Sequence, residues 1–161
     1  RDHHALVGRP PERAVGPGIG VGIVWAASSH IARNTAHLSD VFGIRPYSQG
    51  WTVHMGEEAY EELGPEMYAL GFTAAQGTIG IFNQPSHTIA PPLQNSLEAE
   101  FVEAGFENAF LDLRSLPSGG EWLREVFARP FGYGNMSGDW PTVLDGMVFT
   151  RRMVAASPAI R

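Results

Sequence analysis

The chain has 161 residues, 43% apolar and 17% charged, with nine Phe, four Trp and four Tyr, which is enough for one domain with a real core and argues against wholesale disorder. Its formal charge of −6 comes with eleven Arg scattered along the sequence and no Lys, so a nucleic-acid partner is excluded, because neutralising phosphates requires clustered cations. There are no cysteines for disulfides or thiolate ligands, no apolar run near the roughly 18 to 20 residues that cross a bilayer, and no basic-then-apolar leader; a membrane partner is not expected, and the compartment stays open.

The segment "ALVGRPPERAVGPGIG" reads as loop, since Pro10 and Pro11 cannot donate to a helix and Gly16 and Gly18 add backbone entropy. From Ile19, "IGVGIVWAAS" is apolar without helical periodicity and predicts a strand buried on both faces. Residues 55–63, "MGEEAYEEL", put acids in the first turns and stop at Gly64-Pro65, which predicts a short helix with a solvated face of Glu57, Glu58, Glu61 and Glu62. "EMYALGFTA", 66–74, predicts the next strand, extended or paired by "TIGIF", 78–82. A proline-rich loop follows to Asn95, read as the cap of a helix "SLEAEFVEAG" closed by Gly105.

"ENAFLDLRSL" alternates, with Ala109, Leu111 and Leu113 on one face and Phe110, Asp112 and Arg114 on the other; Asp112 and Arg114 read as a structural ion pair. "GGEWLREVFA" predicts a helix with Trp122, Val126 and Phe127 inward, then a Gly/Pro-rich connector, and "TVLDGMVFTRRM", 142–153, predicts a last strand interrupted at Asp145-Gly146. This order predicts a layered α/β fold with a mainly parallel central sheet flanked by short helices, in which ligands bind beyond the carboxyl ends of strands.

The sequence has no nucleophile elbow, since Ser137 in "GNMSG" is misplaced for one, and no Walker or dinucleotide glycine pattern. The histidines at 3, 4, 30, 37, 54 and 87 have no zinc spacing, so no metal and no cofactor is expected; His37 and His87 read as surface groups. His30 differs because it follows a buried run by a few residues, where an imidazole with an ordinary pKa near 6.5 can exchange a proton at neutral pH. Arg33, Asn34 and His54 are candidate substrate-binding residues, with Arg33 and Asn34 alternatively serving only the start of a helix.

Several separated pieces together resemble the erythromycin esterase-like family. "RDHHA" at 1–5 is similar to its R-D-x-x-M motif, "VWAASSHIARN" at 24–34 to its V-W-A-H-N-x-H strand end, and "MGEEAYEELGPEMYALGFTAAQG" at 55–77 to its M-G-x-x-L helix and following strand; "FLDLR" and "DGMVF" match segments near the C-terminus of some members. The resemblance implies one domain over 1–161 that forms the C-terminal portion of a larger one, whose upstream half carries a further histidine and glutamates. It implies a metal-independent hydrolase of a small-molecule carboxylic ester or lactone, with His30 and the pair Arg1 and Asp2 as catalytic residues. Ala27 stands where the motif has its first histidine and Ser28 where it has asparagine. That departure motivates the alternative of a homologue that binds a small ligand or serves a structural role without turnover. A parallel sheet lacking upstream strands would expose an edge, which predicts poor solubility in isolation.

Overall fold

A helix over 55–63 is dictated locally: glutamates 57 and 58 lie in its first turn, where they complement the macrodipole, and Gly64 at φ 53° ends it. The computed structural model, which describes residues 21–40, 54–80, 84–116 and 118–156, has this helix at Met55–Leu63 as α2. Before it come a single helical turn, α1 (Ser28–Ile31), and a two-residue strand, β1 (Ser39–Asp40). After it come β2 (Leu70–Ile79), β3 (His87–Thr88), α3 (Leu97–Glu103), β4 (Asn108–Asp112), β5 (Phe127–Ala128), β6 (Met136–Ser137), α4 (Trp140–Val143) and β7 (Gly146–Met153).

The strands form two sheets. The larger runs β3-β2-β7-β4, and the smaller β1-β6-β5. In the larger, β2 and β7 are parallel, from Leu70↔Gly146 to Gly77↔Met153, while β3 and β4 flank them antiparallel; both pairings of the small sheet are also antiparallel. The expectation of a mainly parallel sheet is therefore corrected to mixed and antiparallel sheets with few, short helices. One reason is connection length: residues 80–86 between β2 and β3 are too few for a crossover, which takes a dozen or more residues. Another is that the small sheet is built from two-residue strands, too short to carry any periodicity.

The core lies on one face of the larger sheet. Met147 and Phe149 of β7, Leu97 of α3, Trp140 and Val143 of α4, Leu144 and Leu38 are all buried, and Phe149 meets Phe101 of α3 with ring centroids 4.8 Å apart. Trp140, fully enclosed, satisfies its indole N–H on the Val126 carbonyl at 2.9 Å. Across the opposite face runs a row in register, Phe72, Val148 and Phe110, with Phe110 60% exposed.

Four further expectations are corrected. The run after Ile19 forms no strand among its described residues; Val21, Ile23, Val24 and Trp25 are 71–88% exposed, and Trp25 contacts the ring of Phe72 at 5.6 Å. A segment apolar all round needs a layer on each side, and no described strand pairs with it. The segment 119–128 is a 3-10 turn at Gly120–Arg124 followed by β5; Leu123 and Ala128 are its buried side chains and Trp122 is 46% exposed. The strand expected at 66–74 lies at Leu70–Ile79, where β7 offers backbone partners, and the cap of α3 is Ser96, whose hydroxyl accepts from the Ala99 N–H, in place of Asn95. The loop expected over 5–18 lies outside the described residues.

Candidate functional site

His30 sits in α1, exposed, its backbone N–H donating to the Ala27 carbonyl at 2.8 Å. No hydrogen bond or ion pair holds its imidazole among the described residues. The turn is fixed from outside: the Ser28 hydroxyl accepts from the Phe72 N–H of β2 at 3.2 Å, and the start of α2 presses against the turn's last carbonyl. A β-carbon built on Gly56 would lie 2.0 Å from the Ile31 oxygen, so this approach requires glycine. His54 precedes α2, half-buried, its carbonyl accepting from the Glu57 and Glu58 N–H groups. His37 and His87 are exposed. Arg1 and Asp2 lie outside the described residues.

Arg33, buried, is committed to Asp145. Its Nη1 and Nη2 donate to the two carboxylate oxygens at 2.8 Å each, its Nε donates to the Thr142 carbonyl at 3.2 Å, and its guanidinium lies 4.4 Å from the centroid of the Tyr60 ring. Asn34 donates its side-chain amide to the same Thr142 carbonyl and its backbone N–H to Glu57, and it holds a left-handed φ of 51°, a conformation asparagine tolerates. Glu57 thus has a structural partner within the otherwise solvated acidic face of α2. Arg33 and Asn34 are brought to the junction of α1, α2 and α4, and their donors hold protein groups there.

Asp145 is the hub of this junction. Besides Arg33 it accepts from Arg114 Nε at 2.8 Å and from the Ala69 N–H at 2.7 Å. Burial alone would raise its pKa, but the hydrogen bonds from Arg33, Arg114 and Ala69 hold it at about 2. Arg114 also donates to the Pro65 and Met67 carbonyls and stacks on Tyr68 at 4.7 Å. The ion pair expected between Asp112 and Arg114 is therefore replaced: the guanidinium goes to Asp145, and Asp112 accepts from the Arg114 backbone N–H and the Tyr68 hydroxyl. Desolvation, then the hydrogen bond to Asp112, pushes the Tyr68 hydroxyl up to about 12, so it is a donor throughout the neutral range. Sequence reasoning read Asp145 as an interruption. The available signal was an acid inside an apolar run, which must find cations if it is enclosed.

A second enclosed carboxylate lies under the sheet. Glu98 in the first turn of α3 is fully buried; its Oε1 accepts from the Thr73 hydroxyl at 2.5 Å and the Arg129 N–H at 3.1 Å, and its Oε2 has no hydrogen-bond partner among the described residues. The Arg129 guanidinium, also fully buried, donates to three backbone carbonyls: Ala74 at 3.1 Å, Ala75 at 2.6 Å and Ala90 at 2.7 Å. Burial lowers the Arg129 pKa and nearby Glu98 opposes that shift. Among the described residues, no three His, Asp or Glu side chains cluster as a metal site, and no helix is long and apolar enough to cross a membrane.

Residues 15–152 match the family model described as erythromycin esterase. Among solved structures, the chain is similar to a succinoglycan biosynthesis protein (TM-score 0.60, 16% identity, 79% of this chain and 32% of that one). It is also similar to a Bacillus cereus protein (TM-score 0.57, 14%, covering 79% and 32%) and to a mutant of the erythromycin esterase EreC in its open conformation (TM-score 0.50, 12%, covering 78% and 30%). At these identities the likeness is one of fold, and the chain spans about a third of the length of the solved structures it matches. No curated protein matches the chain.

Proposed function

We propose, starting from the fact that the chain belongs to the erythromycin esterase family, that it forms part of a hydrolase in which a histidine assists attack of water on a carboxylic ester or lactone. One observation carries the reading: His30 stands exposed on a turn pinned to β2 and α2, with its imidazole uncommitted among the described residues. In this reaction the imidazole takes a proton from water as its oxygen bonds to the acyl carbon. It returns a proton to the departing alcohol oxygen when the C–O bond breaks, leaving acid and alcohol. The oxyanion formed between these steps needs a cation or donors nearby. Arg1, with Asp2 beside it, is the proposed source, since Arg33 is occupied by Asp145. His54 and Asn34 are proposed to border the substrate, which is left as an ester of unspecified acid.

Hydrolysis of a chromogenic carboxylic ester and of a macrolide lactone, compared between the full-length protein and its His30→Ala variant, tests this. The expected loss in kcat/KM is on the order of 10², the usual scale for an acid–base group. An unchanged kcat/KM rejects the role of His30.

A second reading, a homologue that binds a small ligand without turnover, is favoured by Ala27 at the place of the motif's first histidine. It predicts ester binding by the full-length protein with no hydrolysis, in the wild type as in the variant.

A further inference from the structure

The two faces of the larger sheet are finished differently. On the face toward α3, Met147 and Phe149 of β7 are enclosed by the core. The alternate residues point the other way, and there Phe72 of β2, Val148 of β7 and Phe110 of β4 stand side by side in register. Trp25 extends this row past β2 through its contact with the Phe72 ring. A β-carbon built on Gly146 would lie 2.9 Å from the Phe110 ring and 2.7 Å from the Tyr68 hydroxyl, so both of these side chains lean over β7 on the same face. Even so packed, Trp25 is 84% exposed, Phe110 60%, Tyr68 44% and Phe72 38%.

A sheet face that meets water alternates polar side chains outward. Here the middle outward position of three adjacent strands is bulky and apolar, and on β4 and β7 the neighbouring outward positions bring polar groups, Asn108, Asp112 and Thr150. An apolar centre within a polar rim is the anatomy of an interface, and a layered fold buries such a face under a second layer.

Size and length constrain what covers it. Two free copies of a chain hold together through roughly 20 to 30 residues a side, far more than this row offers. A layer tethered in the same polypeptide needs less contact, because the tether already supplies a high effective concentration. The chain accounts for 32% of two solved structures that share its fold, so about two thirds of their polypeptide lies beyond the matched part. We infer that this sheet face seats a further layer of the same polypeptide, drawn from outside residues 1–161, with apolar side chains laid against Trp25, Phe72, Val148 and Phe110.

The test uses the full-length protein in two ways. Hydroxyl-radical footprinting of the wild type, native and in urea, reads the oxidation of single side chains by peptide mass spectrometry. At the exposures these residues have on their own, Trp25 and Phe110 would be oxidised almost as fast as in the unfolded chain. Under the inference both are protected about tenfold or more, as interface cores packed to interior density are, and a smaller protection of either would overturn it. Photo-cross-linking from Phe110→p-benzoylphenylalanine then identifies the occupant. The expected adduct joins position 110 to a peptide of the same molecule outside residues 1–161; an adduct within those residues, or one between two copies, would overturn the inference. The footprint needs no variant to fold, and neither readout involves ester hydrolysis, so the result is independent of the role of His30.

Discussion

Asp145 and Glu98 are both enclosed carboxylates, and their surroundings are opposite. Asp145 has two arginines and a backbone N–H on its oxygens; Glu98 has one hydroxyl and one backbone N–H on a single oxygen and, among the described residues, nothing on the other, while the nearby Arg129 points its guanidinium at carbonyls. Burial is costly for both, but only Asp145 is compensated by opposite charge in direct contact. The comparison teaches that enclosure alone does not say what a carboxylate does for a fold; the partner on each oxygen does.

The largest expected effect lies at the compensated site. Asp145→Ala strands the buried Arg33 and orphans the Ala69 N–H, which should cost about 3 to 5 kcal/mol in urea unfolding. A loss below about 1 kcal/mol would break the contrast, because Asp145 would then behave as a surface pair. The next effect is in acid. With its folded pKa held at about 2, below the ordinary carboxylate value of 3.8, Asp145 contributes stability that is complete above about pH 4 and is lost as pH falls through 2. The share that disappears is about 2 kcal/mol, and thermal melts of the wild type against Asp145→Asn between pH 6 and 2 should show it as a slope present only in the wild type. The smallest effect belongs to Glu98→Gln, which can keep the acceptor for Thr73 and the Arg129 N–H while removing a charge whose second oxygen has no partner among the described residues. The expected change is within about 1 kcal/mol of zero. A destabilisation as large as that of Asp145→Ala would mean that the charge itself holds the Arg129 guanidinium in place.

These two sites also mark the limit of what the sequence discloses. The helix at 55–63 is legible because its determinants are local: acids at one end and Gly64 at the other. The apolar alternation of β4 is legible for the same reason, and Ala109, Leu111 and Leu113 do share the less exposed face. Strand direction is not local, and neither are the partners of Asp145, which stand 112 and 31 residues away in the chain. Arg114 shows how a near neighbour misleads, since Asp112 two positions away takes only its backbone N–H. His30 is legible as a candidate because histidine after an apolar run is visible in the sequence, while the turn that presents it is set by contacts with β2 and α2.

One of those contacts turns a missing side chain into a gauge. Gly56 sets how close the helix behind His30 can come, because its β-carbon would have to clear the Ile31 oxygen by about 1 Å more than the backbone allows. Two residues beyond Ile31, the chain is anchored at Arg33 by the Asp145 carboxylate, so little slack exists on that side. A wider spacing at position 56 would be taken up by the turn itself. The aim of the imidazole is thus calibrated by a residue with no side chain, in the way a shim sets the angle of a mounted part.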